Sequence, residues 1–314
     1  MKTALQSTDE FSKVVQRPLN RVLPYGTLTV VIPTKDSART LERCLASVRS
    51  QVDLRGEPLG VEIVVVDNSS TDGTAAIGRT SADRFETKGP ERCAQRNFGM
   101  RLATNEIVLF IDSDMVLEPL VCAQTFAAFN DQACGAVVVP EQSFGEGFWA
   151  RCRSLEKRIA VGDRRTEAAR GFRVSALRET GAWNESLTAA EDWDLTDRVI
   201  AAGWTISRCD ALIRHDEGRV SLLGTFRKKR YYGQWVGAYL EQSQAVSDTV
   251  RPSDRRSRLS PLRILAKPRL LLEQPHVSVG LVVLKAVDAL GIGLGVIDAK
   301  RSKWAVNGNV PKSS

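Results

Sequence analysis

Three apolar, β-branched runs, at residues 28–32, 61–66 and 107–111, each stop beside a carboxylate, and segments of helical spacing separate them. The first stops at Pro33 and passes through Thr34, Lys35 and Asp36. It then enters a stretch whose Leu41, Leu45, Val48 and Val52 stand at i, i+4, i+7 and i+11, one face of a helix. The second stops at Asp67 and Asn68, ahead of a turn-rich segment in which Asp72 is placed to cap a short helix. Residues 91–103 set Ala94, Phe98 and Leu102 on one helical side and lead into the third run, which stops at Asp112, Ser113 and Asp114. Runs without apolar–polar alternation have no solvated face, so these strands belong in a mostly parallel sheet covered by helices on both sides. The expected fold is therefore α/β and Rossmann-like. In open sheets of this kind ligands bind beyond the carboxyl ends of the strands, and all three acidic strand ends converge on that edge.

Beyond residue 130 the pattern loosens. A strand is expected at 137–139, helices at 146–160 and 192–202, and Gly203 stops the last of these. The chain has 314 residues, more than the roughly 100 to 200 of one typical domain. The division expected is an N-terminal extension at 1–27, a catalytic domain at 28–242, and a basic linker with a C-terminal helical extension at 243–314. Within 214–269 there are 13 basic residues against 5 acidic ones, an excess of 8 that accounts for the whole net charge of +7. The Ser-, Arg- and Pro-rich stretch 243–261 reads as linker. Six cysteines without a CxxC pair indicate neither a zinc ribbon nor a disulfide scaffold. The first 27 residues lack the apolar core of a secretory leader, and no stretch reaches the roughly 18 uncharged apolar residues of a membrane span. A reduced, cytoplasmic setting is expected, with a peripheral place at the inner face of the membrane as the variant that the basic charge invites.

Two carboxylates at i and i+2 leaving a buried strand repel each other unless a cation or a hydroxyl-rich ligand lies between them. Asp112 and Asp114 are so placed. A DxD triplet alone is a weak motif; its position after the third acid-ended strand gives it weight. With only His215 and His276 in the chain, a metal has to be held mainly by carboxylates. A GxGxxG turn after the first strand, a Gly-Lys dipeptide and a GxSxG elbow are all absent, so a nucleotide is not held by a glycine cradle.

The segments TVVIPTKDSARTLERCLASVRSQ (29–51), VEIVVVDNSSTDGT (61–74), RCAQRNFGMRLATNEIVLFIDSDMVLEP (92–119) and AAEDWDLTDRVIAAGW (189–204) resemble the nucleotide-sugar-dependent glycosyltransferases of family 2, which have the GT-A fold. The resemblance covers about residues 28–218, in the family's order and spacing. It implies that Pro33, Thr34 and Asp36 line the nucleoside pocket and that Asp67 and Asn68 contact base and ribose. Asn68 stands where many relatives carry a second Asp. Arg92 or Arg96 would approach the diphosphate, with Asp112 and Ser113 at the ribose or a metal-bound water. Asp114 would be the direct ligand of Mn²⁺ or Mg²⁺ and His215 a second ligand, with its neighbours Asp216 and Glu217 facing solvent. Asp192, with Glu191 beside it, matches the base that deprotonates an acceptor hydroxyl.

The activity implied is transfer, with inversion, of a sugar from a nucleoside-diphosphate donor to an acceptor hydroxyl on a lipid-linked or polysaccharide acceptor. Trp183 and Trp193 either stack on sugar or pack in the core. The run RKKRYYGQW (227–235) combines cations and rings as single-strand binders do, but no nucleic-acid motif accompanies it. Helices at 270–272 and 277–297 lie on an anionic membrane or dock on the catalytic domain. The rival readings are a nucleotidyltransferase and a non-catalytic basic module binding nucleic acid or polysaccharide.

Overall fold

The computed structural model describes residues 28–163, 166–244 and 265–308, with side chains described through 235 and 301 in the last two segments. The N-terminal extension 1–27 and the linker from 245 to 264 lie outside the described residues. In chain order the elements begin with β1 (Thr29–Thr34), α1 (Ala38–Arg49), β2 (Glu62–Asp67), α2 (Thr74–Ser81), β3 (Arg84–Thr87), α3 (Arg92–Leu102) and β4 (Ile107–Phe110). Then come β5 (Met115–Leu117), α4 (Val121–Ala128), β6 (Cys134–Val138), β7 (Glu141–Glu146), α5 (Gly147–Ala160), β8 (Gly171–Arg173) and α6 (Val174–Glu179). The remainder is α7 (Glu191–Ala201), β9 (Thr205–Arg208), β10 (Ile213–Arg219), α8 (Leu222–Gln244), α9 (Pro268–Glu273) and α10 (Pro275–Gly308).

Every residue of β1, β2 and β4 is buried, as runs without alternation require. Successive side chains still point to opposite faces. Val30, Ile32, Ile63 and Val65 pack with Leu41, Leu45 and Val48 of α1 on one side. Val31, Val64, Val66 and Phe110 pack with Trp183, Leu195 and Val199 on the other. The central sheet has the order β3-β2-β1-β4-β8-β6-β9. Only β8 runs against its neighbours β4 and β6, so the sheet is mostly parallel. The order reverses between β1 and β4, and a crevice opens at the carboxyl ends of such a strand pair. Asp36 and the Asp112-Ser113-Asp114 triplet therefore flank the reversal.

A second sheet of three short strands, β5-β10-β7, stands beside this crevice. It was not legible in the sequence. β10 runs antiparallel to β5 with His215 opposite Met115, and the Asp216 N–H donates to the Asp114 carbonyl at 2.8 Å. This pairing sets His215 next to the DxD loop. On the other side, α3 packs tightly on β1: a Cβ on Gly99 would lie 2.3 Å from Val31 Cγ1. A glycine is needed at that contact, and it presses Gln95 and Arg96 into the carboxyl edge. All six cysteines are buried and unbonded, in keeping with the absence of a disulfide scaffold.

The C-terminal helices do not form a separate appendage. Val277, Leu281 and Leu284 of α10 pack on Cys152, Leu155 and Ile159 of α5, and α8 crosses the expected boundary at 242. Lys285, Asp288 and Asp298 interrupt the apolar run after Pro275, yet Pro275–Arg301 is one helix long and apolar enough to cross a membrane by length and composition when two charges are allowed, with 33% of its most apolar stretch buried against the protein.

Candidate active site

Arg96 organises the carboxyl edge. It is 1% exposed, and its Nη1 donates to Asp192 Oδ1 at 2.7 Å while Nη2 donates to Asp112 Oδ1 at 2.9 Å. Glu191 Oε1 lies 3.6 Å from the same Nη1 and 3.3 Å from Nη2 of Arg92. Arg170, from the loop before β8, adds a second cation at 3.8 Å from Asp112 Oδ2 and donates through Nε to Glu141 Oε1 at 2.6 Å. The repulsion expected within the DxD is thus relieved for Asp112 by two arginines, and no metal is needed for it. Burial raises the Asp112 carboxyl, but Arg96, Arg170 and Arg92 outweigh it and hold the group well below the usual carboxylate range. A guanidinium with 1% exposure and three carboxylate neighbours has no face left for a diphosphate. Of the two arginines expected there, Arg92 is the one with an exposed side chain, at 41%.

Asp114 is placed differently. Its Oδ1 is buried and lacks a hydrogen-bond partner, and so does His215 Nδ1. His215 Nε2 stands 3.3 Å from Asp114 Oδ2, and Nδ1 stands 3.6 Å from Glu141 Oε2. Burial pulls the imidazole pKa down, but Asp114 and Glu141 prevail and bring it to about 10. Two ligands at right angles on an octahedral ion with bonds of about 2.1 Å lie about 3 Å apart, close to the Nε2–Oδ2 separation. Oδ2 and Nε2 are therefore spaced as two ligands of a divalent cation would be, and Oδ1 is a further buried carboxylate oxygen without a hydrogen-bond partner. Among the described residues no third His, Cys, Asp or Glu joins them as a cluster, so phosphate oxygens and water have to complete the shell.

Asp192 is the second residue of α7, after Glu191 and the N-cap Ala190, which adopts a left-handed φ of 64°; a non-glycine residue held there marks stored strain. Glu191, Asp192 and Asp194 occupy the first turn, where the helix dipole favours negative charge. Trp183 Nε1 adds a hydrogen bond to Asp192 Oδ1 at 3.3 Å. Its indole is buried edge-on against Phe110 at 4.2 Å, so it takes the core alternative, while Trp193 Nε1 donates to the Thr166 carbonyl at 3.0 Å. Burial and the neighbouring Asp192 push Glu191 up to about 7, against the pull of Arg92 and Arg96.

On the nucleoside side, Pro33 and Thr34 end β1 opposite Val66 and Asp67. The Thr34 hydroxyl donates to Asp67 Oδ1 at 2.8 Å, and Ser70 N–H donates to Oδ2 at 2.8 Å. Asp67 is 2% exposed, so it braces the rim from within. Asn68 Nδ2 donates to the Pro90 carbonyl. Asp36 is exposed and accepts the Thr71 N–H at 2.8 Å. Ser113 Oγ donates to Ser37 Oγ at 2.8 Å, tying the DxD loop to the loop after β1. Asp216 departs from expectation: it is buried, with Arg39 Nη1 at 3.0 Å and Arg43 also bound to it. Glu217 accepts the Ser143 hydroxyl at 2.8 Å. Glu141 and Arg170 belong to the site and carried no sequence signal, being single charges in the irregular stretch.

This edge occurs in a chain that matches glycosyl transferase family 2 over residues 29–182. Those residues belong to glycosyl transferase family 2. Among curated relatives, the pre-mycofactocin glycosyltransferase of Mycobacterium tuberculosis is 30% identical over 234 residues, 66% of this chain and 46% of that protein. The validoxylamine A glucosyltransferase of Streptomyces hygroscopicus subsp. jinggangensis is 32% identical over 119 residues, 36% of this chain and 28% of that one. The chain thus spans less than half the length of these relatives. A mannosyltransferase from Pyrobaculum calidifontis, solved with GDP-Man and Mn²⁺, superposes with a TM-score of 0.56 at 19% identity, over 96% of this chain and 87% of that one. The family 2 domain has the GT-A fold expected of it.

Proposed function

We propose that this family 2 domain transfers a sugar from a nucleoside-diphosphate donor to an acceptor hydroxyl, with inversion and with a divalent cation at Asp114 and His215. The observation that carries the reading is the environment of Asp192. Arg96 and Trp183 both hold Oδ1, the side chain keeps 32% exposure, and among the described residues Oδ2 has no hydrogen-bond partner. One oxygen is anchored and the other is free to take a proton, the arrangement a general base needs. The separate placement of Asp114 supports a division of labour between donor and acceptor ends of one crevice.

Asp192 accepts the acceptor proton at Oδ2 while Arg96 and Trp183 keep the carboxylate oriented. Arg92, whose side chain is the more exposed of the two arginines, faces the growing charge on the departing diphosphate. Asp114 and His215 would hold Mn²⁺ or Mg²⁺, which would supply further neutralisation of that charge. Asp36 and Asn68 contact the nucleoside at the β1 and β2 ends, with Thr34 and Asp67 bracing them from behind. With Asp192 as the base, the acceptor oxygen attacks the donor directly in a single displacement, hence inversion.

The test has two parts. A thermal-shift screen of UDP-, GDP-, dTDP- and ADP-sugars with Mn²⁺ identifies the donor, since binding to the native state raises stability. With that donor, Asp192→Asn should keep affinity and lose at least about a hundredfold in turnover, whereas Asp114→Ala should remove the Mn²⁺-dependent part of donor binding in calorimetry. Near-normal turnover in the first variant removes the base. Release of pyrophosphate in place of a nucleoside diphosphate would establish the nucleotidyltransferase alternative instead.

A further inference from the structure

The sides of α10 are used unequally. Lys285 and Asp288 are tied to α5, with Arg153 Nη1 donating to Asp288 Oδ2 at 3.0 Å and Lys285 Nζ to Glu156 Oε1 at 2.7 Å. A neighbouring side takes α8 at glycine contacts, where a Cβ on Gly291 would lie 2.9 Å from the Phe226 carbonyl oxygen. The remaining side is open. Every exposed residue of α10 between 279 and 297 is apolar, including Val279 at 67%, Val282 at 55%, Leu290 at 58% and Ile297 at 44%. At 100° per residue these positions form a stripe about 120° wide and, at 1.5 Å per residue, about 27 Å long. Single exposed apolar residues need no explanation, but a continuous stripe of this length marks a contact surface.

Its surroundings specify the partner. Arg269 precedes the stripe and Lys300 and Arg301 follow it, all exposed. Beside it runs a groove of about 380 Å³ lined by Leu223, Phe226, Arg227, Arg230 and Tyr231. Nearby acids are already paired, Asp298 with Arg230 at 2.6 Å and Glu273 with Arg158 at 3.1 Å. An apolar stripe with cationic margins is complementary to an anionic lipid surface, into which such a helix sinks its apolar face while Arg and Lys meet the headgroups.

We propose that the chain docks on an anionic bilayer through this face of α10, with the helix lying in the plane of the interface. Composition alone admits a span, but a span needs lipid on all sides. Here the sides carrying Asp288, Lys285 and Gly291 are occupied by α5 and α8. Withdrawing α10 would take Asp288 from Arg153 and Lys285 from Glu156, leaving those two half-buried groups only each other. This docking is independent of the catalytic reading, because binding is measured without turnover.

The experiment is co-sedimentation of the full chain with phosphatidylcholine vesicles with and without phosphatidylglycerol. Binding should require the anionic lipid, weaken with salt, and be reversed by an alkaline carbonate wash. The double variant Val282→Glu, Leu290→Glu should lose about tenfold in the bound fraction with an unchanged melting temperature, since both residues are exposed. Equal binding by variant and parent, absence of binding, or retention after the carbonate wash each overturns the proposal. So does a parent dimer, broken by the same substitutions, that ignores vesicles, because the stripe then serves a second copy.

Discussion

A single guanidinium settles how so many carboxylates share one edge. Arg96 serves Asp112 and Asp192 through different nitrogens, which a fork can do and a point charge cannot. Removing it leaves half-buried acids facing one another, so Arg96→Met should cost about 3–5 kcal/mol in urea unfolding. Arg96→Lys should recover less than half of that; full recovery would show that charge alone matters. Glu191 gives the pH signature. Its carboxyl keeps a proton in the folded chain up to about 7, against the ordinary 4.5. Ionising it across that window therefore costs stability as pH rises, on the order of 3 kcal/mol at the upper end. Glu191→Gln should melt higher than the parent at pH 8 and close to it at pH 4.5; a constant difference across this range contradicts the assignment. Asp112, Asp114 and Asp192 stood out because they follow a buried run or stand in the first turn of a helix, whereas His215 lies within β10 and was named through the resemblance alone. Glu141 and Arg170 did not stand out, because their partners lie 29 residues apart in sequence and no local pattern announces the pairing. Arg96 was legible as a helix residue, but its burial depends on how closely α3 approaches β1 at Gly99.

At the scale of elements, legibility followed the number of buried faces. Strands covered on both sides, β1, β2 and β4, write themselves as apolar runs. β7 reads EQSFGE and β10 reads IRHDEGR; both are half-exposed and polar, and their pairing across about 70 residues supplies what local propensity does not. β3 and β8 are four and three residues long, too short for a period to show. The helices expected at 270–272 and 277–297 correspond to α9 and to most of α10, which runs on to Gly308; two packed sides and one open apolar side leave α10 with little amphipathic periodicity. Its seam with α8 depends on backbone proximity: a Cβ at Gly295 would stand 2.1 Å from the Arg230 carbonyl oxygen. That atom is backbone and has no rotamer to yield. Gly295→Val should therefore separate the helices and lower stability by about 1–3 kcal/mol, the usual range for overpacking. Thermal melting of the variant checks it, and an unchanged midpoint contradicts so close a crossing.

For the molecule as a whole, the question is whether the chain divides at residue 242 as its composition suggests. Charge and residue type change there, but packing does not. Leu155 and Ile159 of α5, each 4% exposed, are covered by Val277, Leu281 and Leu284 from beyond the boundary. Asp288 takes two hydrogen bonds from Arg153, at 3.0 and 3.1 Å. A linker rich in Arg, Ser and Pro signals a change of chain environment without saying what the segment after it packs on. Here it packs on α5, in an apolar cluster apart from the two that flank the sheet. A chain ending at Gln244 should therefore behave as a damaged domain. Uncovering a buried Leu or Ile costs about 1.5–3 kcal/mol each, and at this size 1 kcal/mol moves the midpoint by about 2–4 °C, so the loss of cover at Leu155 and Ile159 should lower the melting temperature of the truncated chain by about 6–24 °C. It should also bind a hydrophobic dye at the α5 face, and adding Leu155→Lys and Ile159→Lys to it should reduce the dye signal. A truncated chain with the parent's melting temperature would mean that α10 rests on an already complete domain, and that the boundary drawn from composition is the physical one.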